Sequence, residues 1–247
     1  MKNAIFALFL ILFISCNEKI PTTKEAAIME KVIDVAGGEN YEDARIEFVF
    51  RESFYTSERK GGKFEFTRTR KDSLGQEVKD IMDNDKVKRF INGKEVALTD
   101  SLASAIGESV NSVHYFVQLP YGLNGDAVEK ELVGEDEING KKYYELKVTF
   151  EEEGGGKDHE DIYMYWIEKK DYTIDYMAYR FFVNDGGIRF RVAVNPRVLQ
   201  GLRFVDYENY KTDDLSTPLQ LLDDLYLQGK LTKVSHIEND IKKVVID

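Results

Sequence analysis

The sequence predicts a mainly β, α+β fold built on one large, curled antiparallel sheet. Three observations lead to this prediction: apolar and polar residues alternate through most of the chain, turn signals recur about every ten residues, and only two long stretches have helical spacing. A large sheet accompanied by few helices has to curl to bury its apolar face. The 247 residues contain no internal repeat and no break in composition, so we expect one domain over residues 22–247.

The first segment has the pattern of a lipoprotein signal peptide, residues 1–15. Lys2 precedes the apolar run Ala4–Ile14, which is too short to cross a membrane as a helix. The run ends just before Cys16, and this arrangement resembles a bacterial lipobox. The resemblance implies cleavage before Cys16 and diacylation of its sulfur with fatty acids such as palmitate, which leaves residues 16–21 as a lipidated tether. Because Cys16 is the only cysteine, a disulfide framework is excluded.

Location and partners follow from the same segment and from the charge. Asn17, rather than Asp, follows the cysteine, so nothing points to retention in the inner membrane. We therefore expect a lipoprotein of the cell envelope, in the outer membrane, that meets the membrane through its lipid. The formal net charge of −11 repels phosphate, so nucleic acid is not expected as a partner. No sequence motif indicates a cofactor, and a protein partner is not identified.

The first half of the chain predicts a helix followed by a group of strands. Thr22-x-x-Glu25 is a capping box, and Gly37-Gly38 ends the helix that it opens. From Ala44 the period changes to two, as Ile46 and Phe48 illustrate. The same alternation predicts strands up to residue 59 and over 63–71, 76–84 and 86–91.

A second helix is predicted over Thr99–Gln118. Its predicted apolar face consists of Leu102, Ile106, Val113 and Val117. Serine and glycine make it a weak helix, and we interpret it as a lid that opens at low cost.

The second half has the densest alternation. It predicts strands over 141–150, 161–167, 174–183, 188–194 and 199–210, a short helix over 217–227, and one or two strands over 231–246.

This layout resembles that of known lipoprotein families. A lipobox cysteine, an N-terminal helix leading into a curled sheet and a mid-chain helix look like the half-barrel of the LolA/LolB lipoprotein carriers, across roughly residues 22–210. The resemblance implies that both helices pack on the concave face of the half-barrel. Gly134 to Lys211 is also similar to a family of uncharacterised lipoproteins of Bacteroidota, through Gly154–Asp161, Tyr165-Trp166, Gly186–Arg191 and Asp206–Lys211. That family has no established activity.

Arginines on apolar strand faces are candidate ligand contacts. Arg68, Arg180 and Arg203 each share strand parity with apolar neighbours. A buried charge has to be paired or lie near a ligand. Each arginine therefore either pairs with a carboxylate such as Asp175 or Asp206, or turns outward at a bulge, or meets the carboxylate or phosphate of a ligand in an apolar concavity.

Aromatic residues are the other candidates for a ligand wall. The chain has 15 Phe, 14 Tyr and 1 Trp, and Trp166 and Tyr176 stand in the region where tyrosines are most dense. Core packing explains many aromatics in strands, and a cavity for an amphiphile is the functional alternative. The sequence thus favours a membrane-anchored lipoprotein that binds a lipid-like or small amphiphilic ligand without chemistry.

The loop at residues 151–161 supports an alternative function. His159 could act as a general base oriented by Asp158 or Asp161, which would make the protein a hydrolase or lyase with its site at Lys157–Asp161. Asp158, His159 and Asp161 could instead hold Ca²⁺ or Mg²⁺, but the spacing matches no EF-hand, and acidic residues at a hairpin tip are usually solvated. A third possibility is an adaptor that binds another protein along a sheet edge.

Overall fold

The computed structural model describes residues 23–153, 159–183 and 185–246. The α-helices in these ranges are α1 (Lys24–Ala36), α2 (Asp100–Val117) and α3 (Leu222–Leu227). The strands are β1 (Ala44–Phe50), β2 (Ser53–Lys60), β3 (Lys63–Lys71), β4 (Glu77–Asp83), β5 (Val87–Ile91), β6 (Lys94–Val96), β7 (Val128–Ile138), β8 (Lys141–Phe150), β9 (Ile162–Glu168), β10 (Ile174–Phe181), β11 (Gly187–Leu199), β12 (Leu202–Thr212), β13 (Thr232–Ile237) and β14 (Asp240–Ile246).

The strands form two seven-stranded antiparallel sheets. Sheet A has the order β14-β1-β2-β3-β4-β5-β6, and sheet B has the order β13-β12-β11-β10-β9-β8-β7. The predicted mainly β class is confirmed, but the one large sheet that we expected is divided into two sheets. The division lies between β13 and β14. These edge strands are consecutive in the chain, and Asn239 between them donates its backbone N–H to the Asp206 side chain (2.9 Å) instead of joining a strand ladder.

Helix α1 begins and ends where its sequence signals place it, within one residue. The side chain of Thr23, rather than the predicted Thr22, accepts a hydrogen bond from the Ala26 N–H (3.3 Å). Gly37 ends the helix with φ 133°. A Cβ at Gly37 would lie 2.6 Å from Leu202 Cδ2, so this close approach of α1 to β12 requires glycine.

Sheet B is buried on both faces. We call the face that packs against α1 and α2 the inner face; Leu146, Tyr165 and Met177 lie on it. We call the other the outer face; there Trp166 and Phe190 pack beneath the segment that contains α3. Strand β9 consequently has almost no exposed residue, a pattern typical of strands covered on both sides.

A shared core connects the two sheets. Phe48 and Tyr55 of sheet A belong to one buried cluster with Leu202 and Phe204 of sheet B, and Tyr41 lies in the same cluster. The apolar residues of both sheets therefore contribute to one continuous contact region. None of the helices within the described ranges is long and apolar enough to cross a membrane.

Candidate ligand-binding cavity

Helix α2 lies between the two sheets and touches both. Ile106 and Val110 pack against Phe66 of sheet A, while Tyr115 and Phe116 pack on the inner face of sheet B. The helix starts at an N-cap, where the Thr99 hydroxyl accepts a hydrogen bond from the Leu102 N–H (3.3 Å). The mid-chain helix is thus placed to cover the inner face of sheet B, as predicted.

Between α2 and the inner face lies a cavity of about 490 Å³. This volume falls within the usual range for small-molecule sites. An aromatic wall forms much of the lining, and we use that term for Tyr115, Phe116, Phe150, Tyr163, Tyr179 and Phe181. Polar residues at the cavity include Ser112, Asp161 and Arg189.

The aromatic wall is continuous because its rings touch one another. Tyr163 stacks on Tyr179 with centroids 5.7 Å apart, and Phe150 meets Tyr163 edge to face at 5.7 Å. Phe116 lies 5.3 Å from Tyr179, which connects the helix to the sheet. Such contacts hold the rings in place, so the wall is a preformed apolar surface.

A hydrogen bond between two tyrosines fastens α2 to the floor of the cavity. The hydroxyls of Tyr115 and Tyr165 lie 2.9 Å apart. Burial raises the pKa of both phenols above the ordinary value, so both stay neutral at physiological pH.

Arg191 is the most unusual charged residue near the cavity. It lies on the inner face, 8% exposed, and donates from Nη2 to the Tyr179 hydroxyl (2.8 Å). Its guanidinium carbon is 4.0 Å from the centroid of the Phe116 ring. Its Nε is buried without a hydrogen-bond partner, and Arg191 forms no ion pair within the described part of the chain. A buried cation in this state is poorly compensated by the protein itself.

Arg191 lines a smaller space next to the main cavity. This space has a volume of about 180 Å³ and shares Ser112 and Phe116 with the main cavity. A third space, of about 590 Å³, shares Tyr115 and Phe150 with the main cavity. Three spaces with shared lining residues therefore lie next to α2.

The predicted candidate Arg68 is paired. It contacts Asp80 at 2.8 Å and donates to the Ser109 hydroxyl at 2.7 Å, and Arg89 binds the same carboxylate. Burial opposes ionisation of Asp80, but hydrogen bonds from Arg89 and Arg68 hold its pKa below the usual value. The pairing alternative therefore describes Arg68, and this residue does not line the cavity.

Three other candidates lie on the outer face, away from the cavity. Arg180 donates to the backbone oxygen of Thr217 (2.9 Å). Trp166 and Tyr176 pack against Phe190. Both faces of sheet B are apolar. An arginine that alternates in step with apolar neighbours can therefore lie on either face, so this pattern did not identify the inner face.

Arg203 is on the inner face but lies beneath α1. There it lines a crevice of only about 10 Å³ with residues such as Val32 and Tyr207. That volume is too small for a ligand. The structure therefore places Arg203 next to a packed helix, at a distance from the aromatic wall.

The loop candidates are only partly described. Cys16 and Asp158 lie outside the described residues. His159 is half-buried. Asp161 is 8% exposed and lines the main cavity.

Of the residues at the cavity, the sequence pattern singled out Asp161 but not Arg189, and it did not single out Arg191 beside the smaller space. Arg189 and Arg191 flank Phe190 on the strand face opposite to it, and Tyr163 and Tyr179 alternate with residues of the outer face. The available signal was that two arginines lie on the strand face opposite to Phe190. Only the positions of α1 and α2 show which of the two faces borders a cavity.

Three solved structures are similar to this chain. A LolA superfamily protein from Nitrosomonas europaea has a TM-score of 0.49 and 13% identity, covering 90% of this chain and 93% of that one. A DUF1329 family protein from Desulfovibrio piger has a TM-score of 0.46 and 11% identity, covering 92% and 93%. A putative outer membrane lipoprotein-sorting protein domain from Vibrio parahaemolyticus has a TM-score of 0.46 and 9% identity, covering 90% and 92%.

In sequence, no curated protein matches the chain. A family model does match, over residues 3–239, which is nearly the whole length. The chain therefore belongs to the family of unknown function DUF6503.

Proposed function

We propose that this protein is a membrane-anchored lipoprotein of the cell envelope that binds a lipid-like or small amphiphilic ligand without chemistry. The observation that carries the proposal is the cavity of about 490 Å³ between α2 and the aromatic wall. A preformed space of this size with an aromatic wall is suited to the apolar part of a ligand.

The ligand's charged end is assigned to Arg191. Its guanidinium is buried beside the space of about 180 Å³, next to the main cavity, and lacks a carboxylate partner in the described residues. A carboxylate or phosphate could pair with it through charge-assisted hydrogen bonds. Arg191 thus takes the role that the sequence suggested for Arg180, Arg203 and Arg68.

Binding of two fluorescent probes tests this proposal. A soluble form lacking residues 1–16 is expected to bind an environment-sensitive fatty-acid probe with micromolar affinity, about −8 kcal/mol. Arg191→Leu should weaken binding of the carboxylated probe about tenfold or more and change binding of a neutral probe of equal length little. Arg180→Leu, on the outer face, is the matched control and should bind both probes like the wild type.

Two outcomes would contradict the proposal. Absence of probe binding by a folded protein would exclude the ligand-carrier function. Equal weakening of both probes by Arg191→Leu would mean that Arg191 only supports the fold. Ser112→Trp provides an independent check. Ser112 lines both the main cavity and the space of about 180 Å³, so the larger side chain should reduce binding of both probes.

The membrane anchor is proposed from Cys16 and the apolar run that precedes it. Cys16→Ala should abolish labelling of the protein by a fatty-acid analogue in cells, because the cysteine sulfur is the acyl acceptor. Labelling of the alanine variant would contradict the lipobox assignment. Fractionation of the membranes would test the proposed outer-membrane location.

A hydrolase or lyase is the alternative function, and one observation favours it. Asp161 is buried at the cavity, and His159 is two residues away. In that case Asp161→Asn should abolish turnover of a bound ester probe and leave its binding largely unchanged. Binding without turnover by the wild type would favour the carrier.

A further inference from the structure

Three carboxyl groups meet on the outer face of sheet B, on the opposite side from the ligand cavity. Asp136 comes from β7, Glu145 from β8 and Asp223 from α3, and one oxygen of each lies within 4.8 Å of the others. We call this group the acid cluster. Asp136 stands opposite Tyr143 in the ladder, so its side chain and that of Glu145 are diagonal neighbours on one face.

Within the acid cluster, Asp223 is a buried carboxylate without a hydrogen-bond partner, which is unusual in a protein interior. It is 1% exposed, and neither of its carboxylate oxygens has a hydrogen-bond partner. A buried carboxylate is stable only when hydrogen bonds, a proton or a cation compensate it. Glu145, 8% exposed, and the half-buried Asp136 add like charge instead of compensation.

Among the residues that the structure describes, no basic side chain is one of the main groups acting on Asp223 or Glu145. The charged groups that act on Asp223 are Asp136 and Glu145, and those that act on Glu145 are Asp136 and Asp224. Three carboxyl groups that lie this close together, two of them buried, form a set of oxygen ligands that suits a cation.

The backbone leaves room for the carboxylate of Glu145. Gly134 stands directly opposite Glu145 in the ladder, and a Cβ at Gly134 would lie 2.4 Å from Glu145 Oε2. Any side chain at position 134 would therefore displace this oxygen. The acid cluster brings together carboxyl groups from three separate elements.

We propose that Asp136, Glu145 and Asp223 bind a calcium ion that fastens α3 to the outer face of sheet B. Carboxylate oxygens are the preferred ligands of Ca²⁺ and Mg²⁺. Magnesium usually keeps several waters and is held by one or two carboxylates, whereas calcium accepts several protein carboxylates in a flexible geometry. Three carboxyl groups from separate elements, with one oxygen of each within 4.8 Å of the others, therefore favour calcium.

Calcium titration of the EDTA-treated protein tests the site. Isothermal titration calorimetry should show one calcium ion bound per chain, and the melting temperature should rise with calcium concentration. Magnesium should bind at least tenfold more weakly. In Asp223→Asn and Glu145→Gln, calcium affinity should fall at least tenfold. Glu152→Gln, at the exposed hairpin tip, is the matched control and should bind calcium like the wild type.

Stability without calcium distinguishes a metal site from a failure to fold. Asp223→Asn relieves the uncompensated charge, so in EDTA at neutral pH its melting temperature should equal or exceed that of the wild type. The proposal is overturned if calcium does not change the wild-type melting temperature, or if Asp223→Asn keeps the full response. Magnesium binding as tight as calcium binding would overturn the assignment to calcium.

Discussion

At the scale of the residue, His114 shows how the core between α2 and sheet A constrains a polar group. Its ring is 1% exposed and stacks on Phe66 with centroids 4.2 Å apart. Nε2 lies 3.4 Å from the Thr67 carbonyl oxygen, and Nδ1 lies 3.4 Å from Gln118 Nε2. A neutral imidazole protonated on Nε2 can donate to Thr67 and accept from Gln118, whereas the charged ring would lose the second bond.

Acid should therefore destabilise the protein through His114. Burial lowers its pKa to about 3, below the unfolded value of about 6.5. The unfolded state takes up the proton first as pH falls, so the stabilisation is complete above about pH 6.5 and is lost progressively toward pH 3. Below about pH 6, this residue should lower the free energy of unfolding by about 1.4 kcal/mol per pH unit, measurable by urea denaturation.

Two variants separate His114 from the other titrating groups. His114→Phe keeps an aromatic ring beside Phe66 and cannot be protonated. Below about pH 6, its free energy of unfolding should therefore fall less steeply than that of the wild type, by about 1.4 kcal/mol per pH unit. Val110→Ala is destabilised in the same core but keeps His114, and it should retain the wild-type slope. The same slope in wild type and His114→Phe would contradict the assignment.

At the scale of the element, helix α2 was predicted well in extent and less well in its contacts. The predicted span Thr99–Gln118 matches the observed Asp100–Val117 with a cap residue at each end. Leu102 was expected on the buried face and is 44% exposed, whereas Val110 and His114 are buried. A helix that packs between two sheets is buried over a larger part of its circumference than a helix that packs on one surface. The apolar stripe in the sequence therefore did not locate all of its contacts.

Strand β7 was not predicted at all. It is an edge strand of sheet B, and its sequence, Val128–Ile138, contains four Glu, one Asp and one Lys. Charged side chains are common on edge strands, where they discourage pairing with other molecules. The alternation that indicates a half-buried strand is therefore weak here, and Asp136 of the acid cluster was missed with it.

The role of α2 as a lid leads to a prediction about hydrogen exchange. Amides of α2 should exchange faster than those of β9, and bound probe should slow the exchange of α2. Tyr115→Phe removes the hydrogen bond to Tyr165, which costs about 1 kcal/mol and should speed local opening of α2 about fivefold. Hydrogen–deuterium exchange with mass spectrometry measures all three effects.

Tyr143→Phe is the control for this experiment. Tyr143 lies on the outer face and donates to Asp175 (3.0 Å), so its loss should leave exchange in α2 unchanged. Exchange of α2 as slow as that of β9, with or without probe, would contradict the role of this helix as a lid.

At the scale of the whole molecule, sequence periodicity could predict the class of the fold but not its layers. Alternation identified the strands that have one apolar and one polar face. Strand β9 is covered on both faces, and its sequence is a short apolar run. Alternation could not assign Trp166 to the outer face and Tyr165 to the inner face, since both side chains are fully buried. That choice depends on where α1 and α3 pack, which is a contact between distant parts of the sequence. The cavity and the acid cluster both follow from those contacts.

The two sheets should nevertheless unfold as one domain, as predicted for residues 22–247. Phe48 and Phe204 belong to a core shared by both sheets. At the junction, Asn239 is 3% exposed and donates from Nδ2 to the Val205 carbonyl (2.8 Å). Trp166 is the only tryptophan, so its fluorescence reports on sheet B, while far-ultraviolet circular dichroism reports on both sheets. The two signals should give coincident urea transitions in the wild type.

Asn239→Ala tests whether the junction contributes to this cooperativity. The substitution removes one buried hydrogen bond and leaves the Val205 carbonyl without that donor, so the free energy of unfolding should fall by about 1–3 kcal/mol. Both signals should shift together, because the shared core still joins the sheets. Asn84→Ala, in an exposed turn of sheet A, also loses side-chain hydrogen bonds and should cost less, since water can replace them. Separate transitions for fluorescence and circular dichroism in the wild type would show that the sheets are independent folding units.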